Sequence, residues 1–280
     1  MATGDRRFAQ VDVFTSGPLT GNPVAVVLDG DGLSTEQMQR FANWTNLSET
    51  TFFCAPTDSA ADYRLRIFTP GRELPFAGHP TLGSAAAWLA AGRRPNGPNI
   101  VQECGAGLVT IRSDGDDLAF AAPPLVRSGP LDPDTLRRAA ASLALSPSDI
   151  TASGWVDNGP GWLGLLLTSG ERVLELQPDF AAVGELAIGV IGPYRDGSGA
   201  PDYEVRAFIP GVGVPEDPVT GSLNAGLAVW LRGEGVVPDR YVAAQGAALG
   251  RAGRLRIHDD GADIWVGGTS DITITGTVRI

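Results

Sequence analysis

Three observations predict a mixed α/β (α+β) fold of two similar domains, each a β-sheet or barrel curled around one central apolar helix. They are an internal repeat, two short helices apolar on all sides, and a turn-rich composition. The chain has 280 residues, 43% of them hydrophobic and 19% charged, the balance of a globular protein long enough for one large or two small cores. Disorder, collagen and coiled coil are excluded. Thirty-seven glycines and 21 prolines, without low-complexity runs, mark many turns between short strands.

The repeat is legible residue by residue. Tyr63, Arg66, Phe68, Pro70, Gly71 and Pro75 match Tyr203, Arg206, Phe208, Pro210, Gly211 and Pro215, each pair 140 positions apart. After a two-residue slip, Trp88-Leu89 answers to Trp230-Leu231, now 142 apart. Thr20 to Leu28 and Pro160 to Thr168 are both a Gly-containing turn leading into an apolar run. This divides the chain into an N-terminal domain, 1–124, and a C-terminal domain, 125–280, with the last strand able to return to the first.

In the first half, Ala9 to Thr15 and Pro23 to Leu28 read as strands around the turn Ser16-Gly17-Pro18. Ser34 to Trp44 reads as a helix. Ser34 and Gln37, three apart, form a capping box that satisfies its first amides. Strands follow at Thr50 to Cys54 and Tyr63 to Phe68. A helix from about Pro80 to Ala90 is announced by Pro80 in its first turn and ended by Gly92, and Gly92 to Pro98 closes the unit. The second half predicts a helix over Pro133 to Leu143, strands at Leu163 to Thr168, Arg172 to Leu176 and Asp202 to Phe208, and a helix over Ser222 to Arg232. Short strands finish the chain, ending at Ile272 to Ile280.

Charge and residue supply narrow the function. Thirty-two acidic against 21 basic side chains give a net charge of −11, which repels nucleic acid and anionic membrane. No stretch approaches the roughly 20 apolar residues of a membrane span, and Met1 to Arg7 has no apolar signal core. A cytoplasmic protein is expected. Cys54 and Cys104 form no C-x-x-C pair and no zinc pattern, and read as buried small residues. With only His79 and His258, a mechanism needing several imidazoles is excluded. His258, beside Asp259 and Asp260, is expected in a solvated turn.

Both apolar helices start in Gly-containing loops, Phe76-Ala77-Gly78-His79-Pro80-Thr81 and Glu216-Asp217-Pro218-Val219-Thr220-Gly221-Ser222. Helices hydrophobic all round are buried helices. A helix start carries pointed amide donors and about half a positive charge, so two such starts at a domain cleft would hold a carboxylate. Capping by Thr220 or Ser222 of their own helix is the plainer alternative.

Four phrases in order carry a family resemblance: Phe14 with Thr20-Gly21-Asn22-Pro23-Val24-Ala25-Val26-Val27, Asn46-Leu47-Ser48-Glu49-Thr50, Leu74-Pro75-Phe76-Ala77-Gly78-His79-Pro80-Thr81-Leu82-Gly83, and Glu216-Asp217-Pro218-Val219-Thr220-Gly221-Ser222. The chain resembles the phenazine-biosynthesis PhzF-like isomerases over essentially its whole length. The resemblance implies a diaminopimelate-epimerase-like fold, usually a homodimer, with no metal or organic cofactor and a small-molecule carboxylate substrate. It implies that Glu49 is the acid/base moving a proton between ring carbons, its pKa raised by burial beside Phe52 and Phe53. His79 then hydrogen-bonds substrate or assists the proton, kept neutral at its helix start. Asp217 binds a substrate amine or hydroxyl, while the amides of Gly78, Gly221 and Ser222 hold the carboxylate.

Taken alone, Glu49 reads as a solvated turn residue, His79 as structural, and Asp217 as an N-cap. Racemases of this fold use a cysteine at each helix start, and here neither cysteine is predicted there: Cys54 falls in a strand and Cys104 in the linker after the first apolar helix. Relatives often continue Ala-His after the serine, where this chain has Leu223-Asn224. Gln245-Gly246-Ala247-Ala248-Leu249-Gly250-Arg251 matches a further phrase in part. The expected activity is an isomerase shifting a double bond in a small cyclic amino- and carboxylate-bearing substrate of secondary metabolism. A carbon-carbon hydrolase of an antibiotic pathway using the same site is the alternative, and a non-catalytic ligand- or partner-binding protein is a third.

Overall fold

A computed structural model describes residues 4–114, 117–194 and 201–280. Two compact units emerge, one built from 1–121 and 267–280, the other from 122–266. The division therefore falls at 121/122 rather than 124/125, and the C-terminal strand belongs to the first unit.

The first unit holds β1 (Asp5–Val13), β2 (Asn22–Val27), α1 (Thr35–Thr45), β3 (Glu49–Cys54), β4 (Tyr63–Phe68), β5 (Glu73–Leu74), α2 (Gly78–Ala90), β6 (Ile100–Cys104), β7 (Gly107–Asp114) and β8 (Asp117–Ala121). β1 pairs antiparallel with β2, β2 parallel with β3, β3 antiparallel with β4, and β4 parallel with β6. β6, β7 and β8 follow as antiparallel neighbours. These last strands lie beyond Pro98, where the sequence reading closes the unit. Their signal was the tight turn Gly105-Ala106, with Gly107 at φ 101°, a hairpin geometry that favours glycine. The other side of β1 pairs with the last strand of the chain, Ser270–Arg279. Thr269, just before that strand, accepts from Thr15 N at 3.2 Å and donates its hydroxyl to Asp117 at 2.7 Å. The strand series so returns on itself around α2, which touches β1, β2, β3 and β8.

The second unit holds β9 (Arg127–Gly129), α3 (Pro133–Ser142), β10 (Ile150–Asp157), β11 (Trp162–Leu167), α4 (Gly170–Leu174), α5 (Phe180–Val183), β12 (Ala187–Pro193), β13 (Tyr203–Ile209), β14 (Val214–Asp217), α6 (Gly221–Gly233), β15 (Arg240–Gln245) and β16 (Gly253–Asp259). β17 (Ile264–Gly268) carries the chain across the boundary into the last strand, β18. The pairing sequence is that of the first unit: β10 antiparallel to β11, β11 parallel to β12, β12 antiparallel to β13, β13 parallel to β15, β15 antiparallel to β16.

The repeat extends to side chains. Arg66 grips Glu73 through two bonds, 2.7 and 2.6 Å, and Arg206 grips Glu216 through two of 2.8 Å. Asp62 accepts from Val101 N at 2.8 Å, and Asp202 from Val242 N at 2.7 Å. Both central helices are 13 residues long and start at Gly78 and Gly221, so their register differs by 143 positions. The slip is three residues rather than two. Trp88 therefore corresponds to Leu231, and its identity with Trp230 is out of register.

The apolar runs have a packing cause. Val24 to Val27 and every residue of β11 are buried, which removes the alternation of a half-exposed strand. Val27, Phe52 and Phe68 meet Met38, Phe41 and Ala42 of α1. In the other unit Leu163, Leu165 and Leu167 meet Ala139, Leu143 and Val173. Each large apolar side chain so buried contributes about 1.5–3 kcal/mol. On the other face the central helices press close. A β-carbon on Gly83 would lie 2.5 Å from Val24 Cγ1, and one on Gly226 would lie 2.2 Å from the Val156 carbonyl oxygen.

Several local readings change. Ser34 does cap α1 with the reciprocal box to Gln37. The segment Arg172 to Leu176 is not a strand: α4 covers most of it, capped by Ser169, whose hydroxyl accepts from Arg172 N at 3.2 Å. Cys104 ends β6 and is not in a linker, and His258 lies in β16, half-buried, with Nε2 2.7 Å from Arg240. No described helix is long and apolar enough to cross a membrane.

Candidate active site

In the first unit, three element starts converge. Asn22 opens β2, Glu49 opens β3 in parallel register with Val24, and His79 is the second residue of α2. β3 and α2 are pinned together by Thr51 and Ser84, whose buried hydroxyls meet at 2.8 Å. Thr81 of α2 accepts from Gln102 of β6 at 3.0 Å. These bonds place Glu49 and His79 relative to one another.

His79 Nε2 lies 3.2 Å from Glu49 Oε2, with the two side chains 5% and 15% exposed. The approach is off the line of a good hydrogen bond, but the atoms are within proton-transfer reach. On its other edge, His79 Nδ1 lies 3.4 Å from the Asn22 side-chain nitrogen. Burial pushes the His79 pKa down to about 3, and its place at a helix start acts in the same direction. The imidazole is neutral at pH 7. With Nδ1 accepting from the amide nitrogen, the ring's one proton is left to Nε2, the nitrogen nearer Glu49. In the sequence Asn22 is one member of the phrase Thr20 to Val27. Its signal was position: a fully buried amide at the foot of an apolar strand needs a polar partner.

Gly78 is buried at the first position of α2. The N-cap is Ala77, which has no side chain to accept from the first-turn amides, so the donors at Gly78 and His79 are not consumed by capping. The glycine lets another group approach that backbone.

Asp217, Gly221 and Ser222 belong to the second unit. Asp217 ends β14, and Gly221 and Ser222 are the first two residues of α6. Thr220 is the N-cap but makes no side-chain cap bond; its hydroxyl is 2.6 Å from Asp217 Oδ2. Asp217 is thus not the N-cap. Ser222 Oγ accepts from the Trp162 indole at 3.1 Å, and its carbonyl accepts from Asn158 at 2.8 Å. An indole only donates, so the serine keeps its own proton to give. Asn224, where relatives often carry histidine, is turned into the core and donates to Thr220 O at 2.9 Å.

The cysteines stand elsewhere. Cys54 ends β3 and Cys104 ends β6, neither at the start of α2 or α6, and burial pushes both thiols up. A paired-thiol proton transfer has no residues at these helix starts.

A family model described as phenazine biosynthesis-like protein matches residues 11–277. The chain is 35% identical to antisense-enhancing sequence 1 of Schizosaccharomyces pombe over 97% of this chain and 98% of that one. It is 35% identical to the trans-2,3-dihydro-3-hydroxyanthranilate isomerase of Pseudomonas aeruginosa over 91% of each. A solved structure described as a phenazine biosynthesis protein of the PhzF family, from Enterococcus faecalis, matches with a TM-score of 0.81 at 25% identity, covering 99% of this chain and 100% of that one. The fold is diaminopimelate-epimerase-like.

Proposed function

From its membership of the phenazine biosynthesis-like family, to which the chain belongs as an isomerase, we propose that it moves a proton between ring carbons of a small cyclic amino- and carboxylate-bearing substrate, of the dihydro-hydroxyanthranilate type. Glu49 takes a proton from a ring carbon and returns one to another, the double bond shifts, and substrate and product have equal mass. The observation that carries this reading is the pairing of Glu49 with a neutral His79 at 3.2 Å. A neutral imidazole at this distance forms no ion pair that would hold Glu49 inert, and stays within reach of its proton. Asp217 takes the substrate amine or hydroxyl. The amide donors at Gly78, Gly221 and Ser222, with the serine hydroxyl, take its carboxylate.

Membership of a biosynthetic pathway for a secondary metabolite, cytoplasmic location and assembly as a homodimer belong to the same proposal, by kinship with the family. The test is turnover of dihydro-hydroxyanthranilate with Glu49→Gln in parallel. The wild type should convert it at constant mass, and the variant should lose about 100-fold or more while staying folded. A product smaller by an acyl fragment would mean carbon-carbon hydrolysis instead.

A further inference from the structure

We infer that Gln245 is a positioning residue for Asp217, acting through the Thr220 hydroxyl. The inference rests on the reading that Asp217 meets the substrate. Gln245 ends β15 and is buried, and all four of its hydrogen-bonding positions are used. Its Oε1 accepts from Thr220 N at 3.0 Å and from Asn224 Nδ2 at 2.9 Å. Its Nε2 donates to the Asp217 carbonyl at 3.0 Å and to Thr220 Oγ1 at 2.9 Å.

The direction of every bond follows. A backbone N–H can only donate and a carbonyl can only accept, so Thr220 N and Asp217 O together fix which end of the amide is oxygen. Nε2 then donates to Thr220 Oγ1. The threonine proton is left for Asp217 Oδ2, 2.6 Å away. The carboxylate is therefore an acceptor in a chain of fixed polarity, a bond that favours its charged form. Charged groups on neighbouring elements include Glu204 of β13, which accepts from the Tyr194 hydroxyl, Arg206 and Glu216, which close on each other, and Arg251 beside Gly246.

The repeat separates scaffold from function. In the first unit Gln102 stands 143 positions before Gln245 and likewise donates to the central helix, at Thr81. Leu74 and Ala77 stand where the second unit has Asp217 and Thr220. The glutamine thus serves a central helix in the first unit without an acid or a hydroxyl at these positions, which are present only in the second unit. Asn224 completes the arrangement, its amide taking the oxygen end of Gln245 and so turning the nitrogen end toward Thr220.

The test is the titration of the Asp217 carboxyl, followed by carbon-13 NMR of the whole chain without substrate and assigned with Asp217→Asn. Thr220→Val keeps the shape and removes the hydroxyl; the midpoint should rise by about one pH unit, a tenfold change in acid constant, and Thr220→Ser should restore it. Gln245→Met should raise it too, but add nothing in combination with Thr220→Val. An unchanged midpoint in Thr220→Val overturns the inference even if Gln245→Met fails to fold, and so does an additive double variant. Because no substrate is used, an inactive protein with the shifted titration would keep the relay and remove the isomerase reading.

Discussion

Acidification from pH 7 to pH 5 should cost this protein about 2 kcal/mol through His79 alone. In the unfolded chain its imidazole titrates near 6.5, whereas burial holds the folded value near 3. Below 6.5 the unfolded state binds a proton that the folded state refuses. Stability therefore rises with pH across this window, and the contribution complete at pH 7 is lost as pH falls. Each pH unit below the unfolded value costs about 1.36 kcal/mol, so 1.5 units give about 2 kcal/mol. The assay is urea unfolding followed by tryptophan fluorescence at both pH values, with His79→Gln in parallel, so that carboxylates titrating in both proteins cancel. The variant should lose about 2 kcal/mol less than the wild type between pH 7 and pH 5. With only His79 and His258 present, nitrogen-15 NMR reads the ring directly, and His79 should be neutral at pH 5 with its proton on Nε2. Equal acid sensitivity in both proteins, or a His79 titration near 6.5, would refute the reasoning.

The repeat offers a second experiment within one molecule. Arg206 and Glu216 are each 5% exposed, while Arg66 and Glu73 are 18% and 38% exposed. Arg206→Ala, which strands a buried carboxylate, should cost about 3–5 kcal/mol in denaturant unfolding, and Arg66→Ala about 1 kcal/mol or less. Equal losses would contradict the burial argument. Gly226→Ala sets a methyl against the Val156 carbonyl and should lower stability by about 1–3 kcal/mol despite the better helix propensity of alanine. A stabilised variant would show that α6 sits less tightly than described.

Much of the fold was legible because local and tertiary signals agree. Ser34 and Gln37 mark the start of α1, and Tyr63 to Phe68 coincides with β4. The misreading at Arg172 to Leu176 has a physical origin. Val173 and Leu176 both enter the core, a spacing of three that suits a helical turn, while the intervening charged residue imitates strand alternation. Only the cap at Ser169 distinguishes the two. The short strand-turn-strand at Gly105 was passed over because its polar residues, Gln102 and Glu103, mask the alternation, yet Gln102 is buried to hold Thr81.

The site was legible in part. Glu49, His79, Gly78, Asp217, Gly221 and Ser222 were singled out by phrases, because spacing along the chain carries no sign that β3 and α2 bring Glu49 to His79. Asn22 and Gln245 lie in recognisable phrases that carry no sign of their roles. Both act through buried amides, and an amide in a strand of sequence looks the same whether it faces water or a histidine. Where relatives often carry Ala-His, this chain has Leu223-Asn224, and the exchange is more than the absence of an imidazole. It is the gain of a buried amide that orients Gln245.

Incubation of the purified protein with dihydro-hydroxyanthranilate in deuterium oxide, alongside Glu49→Gln, tests the central claim most directly. A product of otherwise conserved mass, with deuterium on the carbon that receives the proton and lost in the variant, is the predicted result. Deuterium incorporation at an undiminished rate in Glu49→Gln would contradict the assignment of Glu49 as the proton carrier.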